Sequence, residues 1–450
     1  MRQYEKYKPF QYAWLPLIPH HWKEMFVQQV SIEQKVKNYS MQENRVLSLS
    51  YGNIIRKRNV DEGLVAKDLS TYQIVNPGNI ILRFTDLQND QKSLRTGLVK
   101  ERGIITSAYV CVVPRINASF LHYILHSYDT RKVFYGMGSG VRQSIGFDDI
   151  RHMYIPIPPK DEQDQIVRYL DWQISQINRL INGYQKQIKL LSERRQTIID
   201  RAATQGVDNA ELKDSGANWI PQIPEHWEMV YSKKLFAQRK DKAFPDDTQL
   251  TSSQKYGIIS QEEFMRIEGR RLTVVMTGSD ILKHVGKGDF VISMRSFQGG
   301  LEYSYVDGKI SSAYVMLIPD KTKVYDEYFK WLFKTKSYIK ALQGTSDLVR
   351  DGQALRYANF AKVSLPEIPL EEQKRIADYI SAEVKKIDDA IPVFKKEIEL
   401  LREYRTRLIS DVVTGQVDVR GVEIPDYTPE EDNAVDEEIN DTEEVTDSAD

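Results

Sequence analysis

The side chains best suited to chemistry in this chain are polar and basic residues that follow short apolar runs. In the first half they are Arg83, Thr85, Gln88, Asn89, Lys92 and Arg95, followed by Ser139, Arg142 and Gln143 in a glycine-rich turn. In the second half they are Arg295, Ser296 and Gln298, followed by Arg350, Gln353 and Arg356. These side-chain types bind phosphate or read base edges in DNA. All are candidate DNA-binding residues, although the same composition also suits ordinary solvated loops.

Patterns that would indicate catalysis are incomplete. Pro158-Pro159 lacks the flanking residues of an amino-methyltransferase tetrapeptide, and Gly286-Lys287 lacks the earlier glycine and the Ser or Thr of a phosphate-binding loop. No Pro-Asp pair is followed closely by the acid-x-Lys of a metal-dependent nuclease. His122 and His126 are spaced to share a helix face, but no third ligand lies nearby, which favours surface or packing histidines. We therefore expect a non-catalytic chain that binds no metal and no cofactor of its own.

The elements that would position the candidate residues occur twice. The segment from Trp14 to Trp22 returns from Trp219 to Trp227 at an offset of 205, and Glu162-Gln163 returns as Glu372-Gln373 at an offset of 210. Between these anchors the two copies differ widely. A shared frame with a divergent middle indicates one scaffold that presents two different surfaces.

Each copy ends in a long segment whose apolar residues alternate in steps of four and three. They are Leu170, Ile174, Ile177, Ile181, Ile188 and Leu191 in the first copy, and Ile380, Val384, Ile387, Ile391, Phe394, Ile398 and Leu401 in the second. This spacing predicts a coiled-coil seam. The economical partner of each helix is the other, in an antiparallel pair with pseudo-twofold symmetry. Pro392, where the first copy has Asn182, predicts a kink or a one-turn break in the second helix only.

The regions before the helices have the pattern of mixed α/β (α+β) domains. Short β-branched runs, such as 109–113 and 314–318, predict strands, and 120–128 and 326–338 predict one helix each. The predicted organisation is a first domain over 1–158, a helix over 159–206, a second domain over 207–368, a helix over 369–416 and a tail over 417–450.

The net charge of -2 averages a basic body and an acidic tail. Residues 421–450 hold thirteen of the 64 acidic residues and no Lys or Arg, so the other 420 residues carry 62 basic and 51 acidic groups, a net charge of +11. The body suits a polyanionic partner, and the tail has the composition of a disordered segment. Without an apolar run long enough to span a membrane, we expect a cytoplasmic protein. Cys111, the single cysteine, is expected to be a small buried residue.

The motifs together resemble the specificity subunit of Type I DNA restriction-modification systems. They are Trp-x-Pro-x-Ile-Pro-x-His-Trp in both copies, Pro-Pro-Lys-Asp-Glu-Gln (158–163) and Pro-Leu-Glu-Glu-Gln (369–373) at the helix starts, and Thr-Gly-Gln-Val-Asp (414–418) after the second helix. The resemblance implies two target-recognition domains, each reading one half of a bipartite site on double-stranded DNA. It also implies two modification (methyltransferase) subunits and restriction (translocase and nuclease) subunits as partners, with S-adenosylmethionine, ATP and Mg²⁺ bound by those partners.

Two other classes of protein remain compatible with the residues. A stand-alone coiled-coil architectural protein would bind specific duplex DNA without a methyltransferase subunit. A coiled-coil adaptor that does not act on DNA would show negligible, salt-insensitive binding, whereas phosphate contacts make DNA affinity fall steeply with salt.

Overall fold

The computed structural model describes residues 2–50, 52–57, 68–85, 87, 94–137, 145–269, 281–293, 296–345 and 356–432. The chain forms two compact units. The first unit comprises Met1–Lys186 and Phe394–Asp450, and the second comprises Gln187–Val393. Each unit therefore contains one mixed α/β domain and a segment of both long helices. No helix in the described part of the chain combines the length and the apolar composition needed to cross a membrane.

The described part of the first unit, before the long helices, is built from short antiparallel strands and three short helices. Its strands are β1 (Tyr7–Tyr12), β2 (Leu15–Pro19), β3 (Lys23–Phe26), β4 (Ser31–Gln34), β5 (Leu47–Ser50), β6 (Asn53–Arg56), β7 (Gln73–Val75), β8 (Ile80–Leu82), β9 (Thr96–Leu98), β10 (Gly103–Ile105), β11 (Val110–Pro114) and β12 (Tyr154–Ile157). Its helices before the first long helix are α1 (Val27–Val30), α2 (Ala118–Thr130) and α3 (Phe147–Ile150). The long helices are α4 (Lys160–Gln205) and α10 (Leu370–Val413).

The second unit repeats this design with more helices. Its strands are β13 (Leu212–Asp214), β14 (Gln222–Pro224), β15 (Glu228–Tyr231), β16 (Phe236–Arg239), β17 (Leu250–Ser253), β18 (Gly257–Ser260), β19 (Lys283–Val285), β20 (Phe290–Ile292), β21 (Glu302–Tyr303), β22 (Gly308–Ile310), β23 (Val315–Pro319) and β24 (Ser364–Glu367). Its helices are α5 (Gln261–Glu268), α6 (Ser296–Gly299), α7 (Asp326–Leu332), α8 (Lys336–Gln343) and α9 (Tyr357–Ala361).

The two units share one sheet topology. The central sheet has the order β4-β11-β8-β9 in the first unit and β16-β23-β20-β21 in the second, and all its pairs are antiparallel. The pairs β3 with β12 and β15 with β24 correspond in the same way. Cys111 lies in the core of the first unit, 1% exposed, as expected. The duplicated mixed α/β fold is confirmed.

The repeated tryptophan motif and the repeated glutamate motif meet at the start of each long helix. In the first unit, Trp22 Nε1 donates to Glu162 Oε1 at 3.0 Å, and His21 Nε2 lies 2.8 Å from Glu162 Oε2. In the second unit, Trp227 Nε1 donates to Glu372 Oε1 at 3.0 Å. The anchors that recur in the sequence therefore join each domain to its helix.

The two long helices run antiparallel in the first unit. Arg405 Nη1 donates to Asn178 Oδ1 at 2.6 Å, and the rings of Tyr184 and Phe394 stack with centroids 5.5 Å apart. Residue numbers rise from 178 to 184 along α4 while those of their contacts fall from 405 to 394 along α10, which is the antiparallel arrangement. Among the predicted seam residues, Leu170, Ile177, Ile181, Ile380, Val384, Ile387 and Ile398 are buried, and Ile174, Ile188, Leu191, Ile391, Phe394 and Leu401 are partly buried. None is exposed, as a seam requires.

The second unit contains the corresponding helix contact. Arg195 Nε donates to Asp388 Oδ1 at 2.9 Å, which also pairs the C-terminal part of α4 with the N-terminal part of α10. Pro392 lies inside α10, which is continuous across it. The predicted one-turn break is therefore wrong, because packing holds the helix on both sides of the proline.

The start of the acidic tail is ordered, contrary to the predicted disorder. Asp418 N donates to Arg2 O at 2.9 Å, so the segment that follows α10 meets the beginning of the chain. Gln165 Nε2 then donates to the carbonyls of Val419 and Val422 at 3.1 and 2.8 Å. The disorder prediction is wrong for residues 417–432 because side chains of α4 bind their main chain. Residues 433–450 lie outside the described part.

Candidate nucleic-acid interface

In both units the candidate residues lie at equivalent places on the sheet. In the first unit, the segment with Arg83 to Arg95 joins β8 to β9, and in the second, the segment with Arg295 to Gln298 joins β20 to β21. The other candidates lie between α2 and α3 in the first unit and between α8 and α9 in the second. In each unit one candidate loop joins two strands of the antiparallel central sheet and the other joins two helices, and loops carried on such a framework are typical of binding surfaces.

Many of the predicted DNA-binding residues lie outside the described residues. They are Gln88, Asn89, Lys92, Ser139, Arg142, Gln143, Arg295, Arg350 and Gln353; Gln298 is placed in α6 by its backbone alone. The remaining candidates are Arg83, Thr85, Arg95, Ser296 and Arg356. Arg83 and Thr85 are partly exposed directly after β8, and Arg356 is exposed at the start of α9. These three side chains can reach a ligand at the surface.

Arg95 is a buried residue, which contradicts its prediction as a surface DNA contact. Its side chain is 0% exposed, and its Nη1 donates to Thr85 O at 2.7 Å. Its Nε donates to the hydroxyl of Tyr135 at 3.4 Å, and its backbone N–H donates to Asp129 Oδ2 at 2.5 Å. The guanidinium therefore ties the base of one candidate loop to the turn that precedes the other. We assign Arg95 a positioning role.

The two candidate loops of the first unit begin and end close together. Ile145, which follows the second loop, donates its N–H to Phe84 O, which precedes the first loop, at 3.4 Å. The rings of Phe84 and Phe134 lie 5.0 Å apart and pack beneath the same region. Because both loops start from one buried cluster, the ends of the two loops lie side by side.

Replacing Arg95 with Ala is expected to destabilise the first unit by about 3 kcal/mol, since it removes a fully buried side chain and leaves the partly buried carbonyl of Thr85 without its donor. Urea unfolding of the full chain, read by hydrogen exchange on β8 and β9, would measure the loss. Arg115, which is exposed, supplies the matched control, and Arg115→Ala should leave the same amides unchanged. Equal effects of the two substitutions would remove the positioning role.

The second unit places Ser296 away from the surface. Ser296 is 0% exposed, and its hydroxyl accepts the N–H of Ser293 at 2.9 Å, so its prediction as a DNA contact is also contradicted. Ser296 is the first residue of the short helix α6, which packs against α8. Asn359 Nδ2 donates to Thr345 O at 3.0 Å and joins the two ends of the other candidate loop. In this unit too, hydrogen bonds hold the ends of both candidate loops.

A buried ion pair, missed in the sequence, supports the second unit's candidate loops. Glu302 of β21 is 4% exposed and pairs with Lys334, which lies between α7 and α8. Burial raises the pKa of Glu302 to about 7, because desolvation outweighs the attraction of Lys334. No motif marks the pair, since it joins residues 32 positions apart. The corresponding link in the first unit is made by Arg95.

The raised pKa of Glu302 predicts a pH-dependent stability. The folded state holds this proton more tightly than the unfolded chain, whose Glu pKa is 4.5, so the contribution is complete below that pH and is lost as the pH rises through about 7. Urea unfolding of the second unit between about pH 5 and pH 8 should show this decline. Glu302→Gln should flatten it, whereas Glu371→Gln, at an exposed position, should not. An unchanged decline in Glu302→Gln would contradict the assignment.

The paired histidines of α2 do not form a recognisable metal site. Burial lowers the pKa of His122 to about 3 and that of His126 to about 4, so both rings are neutral near pH 7. Within the described residues, no group of three or more His, Cys, Asp or Glu side chains could hold a metal ion. The packing interpretation of these histidines is the one that fits.

Each unit carries its candidate residues in one connection between strands of the central sheet and in one connection between helices. Residues 93–190 match the family described as the Type I restriction modification DNA specificity domain. The chain is 28% identical over 315 residues to a Methanocaldococcus jannaschii protein assigned as the type I restriction enzyme MjaX specificity subunit, covering 68% of this chain and 69% of that protein. It is 23% identical over 370 residues to the MjaVIII specificity subunit of the same organism, covering 78% and 81%.

The fold is also found in a solved structure from a study of complex assembly and conformational transition of the type I R-M system. The TM-score is 0.64 at 14% identity, over 91% of this chain and 100% of that chain, and it supports the fold alone. The family match and the two relatives confirm the resemblance carried by the sequence motifs. The chain is similar to the specificity subunits of Type I restriction-modification systems.

Proposed function

We propose that this chain is the sequence-specific DNA-recognition subunit of a Type I restriction-modification complex. The observation that carries the proposal is that one sheet topology occurs twice, with different polar loops between the same strands. A repeated frame with unlike loops suits a protein that reads two unlike sequences. In this proposal each unit reads one half of a bipartite site on double-stranded DNA.

The proposal assigns the chemistry to partner subunits. Two modification subunits would carry out adenine methylation with S-adenosylmethionine, and restriction subunits would use ATP and Mg²⁺ for translocation and cleavage. The role of this chain is then to position its partners on the DNA. The exposed cation Arg356 and the partly exposed Arg83 are the described side chains that would contact the duplex.

Binding to duplex DNA tests this function directly. The full chain, with and without its modification subunit, would be titrated with a pool of random duplexes over a range of salt concentrations. We expect selection of a bipartite site and an affinity that falls steeply with salt, because phosphate contacts release counterions. Selection by the chain alone to the same extent would favour the architectural protein, and salt-insensitive, unselective binding would favour the adaptor.

A further inference from the structure

We propose that residues 423–432, called the strap, are a tethered peptide ligand for a groove of the first unit whose α4 side chains have no counterparts at the equivalent positions of α10. We call this groove the strap groove; it consists of Ser175, Asn178, Arg179 and Asn182 on α4 and Arg402 and Arg405 on α10. The strap holds the first recognition domain against the helix pair. The second part of this proposal, an effect on half-site reading, rests on the proposed function.

The strap groove binds the main chain of the strap in a fixed register. The hydroxyl of Ser175 donates to Thr428 O at 3.1 Å and accepts the N–H of Glu430 at 2.9 Å. Asn178 Nδ2 donates to Glu430 O at 2.8 Å, and Asn182 Nδ2 donates to Glu431 O at 2.9 Å. Main-chain capture at three of four consecutive residues, Thr428, Glu430 and Glu431, is typical of specific peptide recognition rather than of diffuse charge attraction.

Charge complementarity adds to these hydrogen bonds. Glu430 pairs with Arg179 at 3.3 Å, and Asp432 pairs with Arg405 at 3.0 Å. Arg402 lies 4.0 Å from the same Asp432 carboxylate, whose side chain is only 9% exposed. An acidic segment therefore neutralises three cations that would otherwise lie together on the helix pair.

The second copy lacks every groove side chain on the equivalent helix. At the offset of 210, Ser175, Asn178, Arg179 and Asn182 correspond to Lys385, Asp388, Asp389 and Pro392. In the second unit, Asp388 of α10 forms an ion pair with Arg195 of α4. In the first unit, its counterpart Asn178 is neutral, and Arg405 forms its ion pair with Asp432 of the strap instead. The two aspartates would repel an acidic peptide. Pro392 has no side-chain donor to replace that of Asn182. The two copies have thus diverged where the strap binds.

The strap also reaches the recognition domain. Glu431 pairs with Lys100, which lies between β9 and β10. A cavity of about 720 Å³ is lined by Lys100 and Glu431, by His122 and His126 of α2, and by Tyr427 and Glu430. Because the strap is held mainly through polar and ionic contacts, its attachment should be reversible and sensitive to salt.

Hydrogen exchange of the full chain tests the strap groove without reference to DNA. The test variant is Asn178→Asp, which installs the acid of the second copy, and its mirror control is Asp388→Asn. Exchange of the Glu430 amide is expected to rise by about tenfold or more in Asn178→Asp, since one main-chain bond is lost and a like charge is added. Asp388→Asn should leave it unchanged, and added salt should raise it in the parent.

Three results would overturn the strap groove. They are full exchange of the Glu430 amide in the parent, an unchanged rate in Asn178→Asp, or an equal rise in both variants. Loss of fold is separated from release of the strap by the exchange of β8 and β9, which should match the parent. If those strands also lose protection, Asn182→Ala, which removes the donor to Glu431 O, provides the second variant and should again free only the strap.

The effect on recognition is measured in the complex with the modification subunit. Asn178→Asp is expected to reduce discrimination against base changes in the half-site of the first unit by about threefold to tenfold, while discrimination at the other half-site is kept. If the strap is freed and discrimination at the first half-site is unchanged, the strap does not position the first recognition domain, although the strap groove itself would stand. A parent complex that discriminates at neither half-site would instead overturn the proposed function.

Discussion

Replacing Glu162 with Ala is expected to lower the free energy of unfolding of the first unit by about 3–5 kcal/mol, because it leaves buried donors without an acceptor. Glu162 is 6% exposed and accepts from Trp22, from Tyr4 at 2.6 Å and, on its second oxygen, from His21. Burial and the bond to Glu162 raise the pKa of Tyr4, which remains a donor. Denaturant unfolding with hydrogen exchange resolved by unit is the measurement.

The repeat supplies the matched comparison for this prediction. Glu372→Ala should destabilise the second unit instead, and by less, since Glu372 accepts from His226 and Trp227. Asp161→Ala, next to Glu162 but exposed, should change the stability by less than about 0.5 kcal/mol. If Glu162→Ala matched Asp161→Ala, the motif would not be the joint between domain and helix.

Exchanging residues 14–158 for the corresponding domain of another family member is expected to change one half-site of the DNA target and to leave the other unchanged. Preference for the original half-site should fall by at least about 10²-fold, because each mismatched base pair costs about 1–3 kcal/mol. Selection from random duplexes by the complex would show this directly.

The reciprocal exchange of residues 219–368 is the control and should alter only the other half-site. Each exchange keeps Glu162 and Glu372 in place, and the joints between domain and helix are preserved when the incoming domain brings the His-Trp pair of its own entry motif. A hybrid that changed both half-sites, or neither, would contradict the assignment of one half-site to each unit.

The sequence was most informative where a pattern repeats. The seam residues, such as Ile181 and Val384, follow helix geometry that is local to the chain, and the structure buries them. The predicted helix over 326–338 was only partly right, because α7 ends at Leu332 and Thr335 caps α8 by accepting the N–H of Tyr338 at 3.4 Å. A single capping residue inside an apolar run is easily missed.

The sequence was least informative where a polar residue has a distant partner. Arg95 and Ser296 have the residue types of a DNA-binding surface, but Tyr135 and Ser293 hold them in the interior. The tail has a disordered composition, yet Ser175 and Asn178 bind its main chain. Burial and long-range hydrogen bonds of this kind depend on tertiary packing, which composition does not contain.

The map of methylated bases tests the central claim most directly. DNA exposed to the complex of this chain with its modification subunit would be sequenced for modified adenines. The account predicts a single bipartite site with two unlike half-sites and one fixed gap, since two unlike loop sets are carried on two copies of one fold. Methylation at a continuous site, at two identical half-sites, or without sequence preference would contradict it.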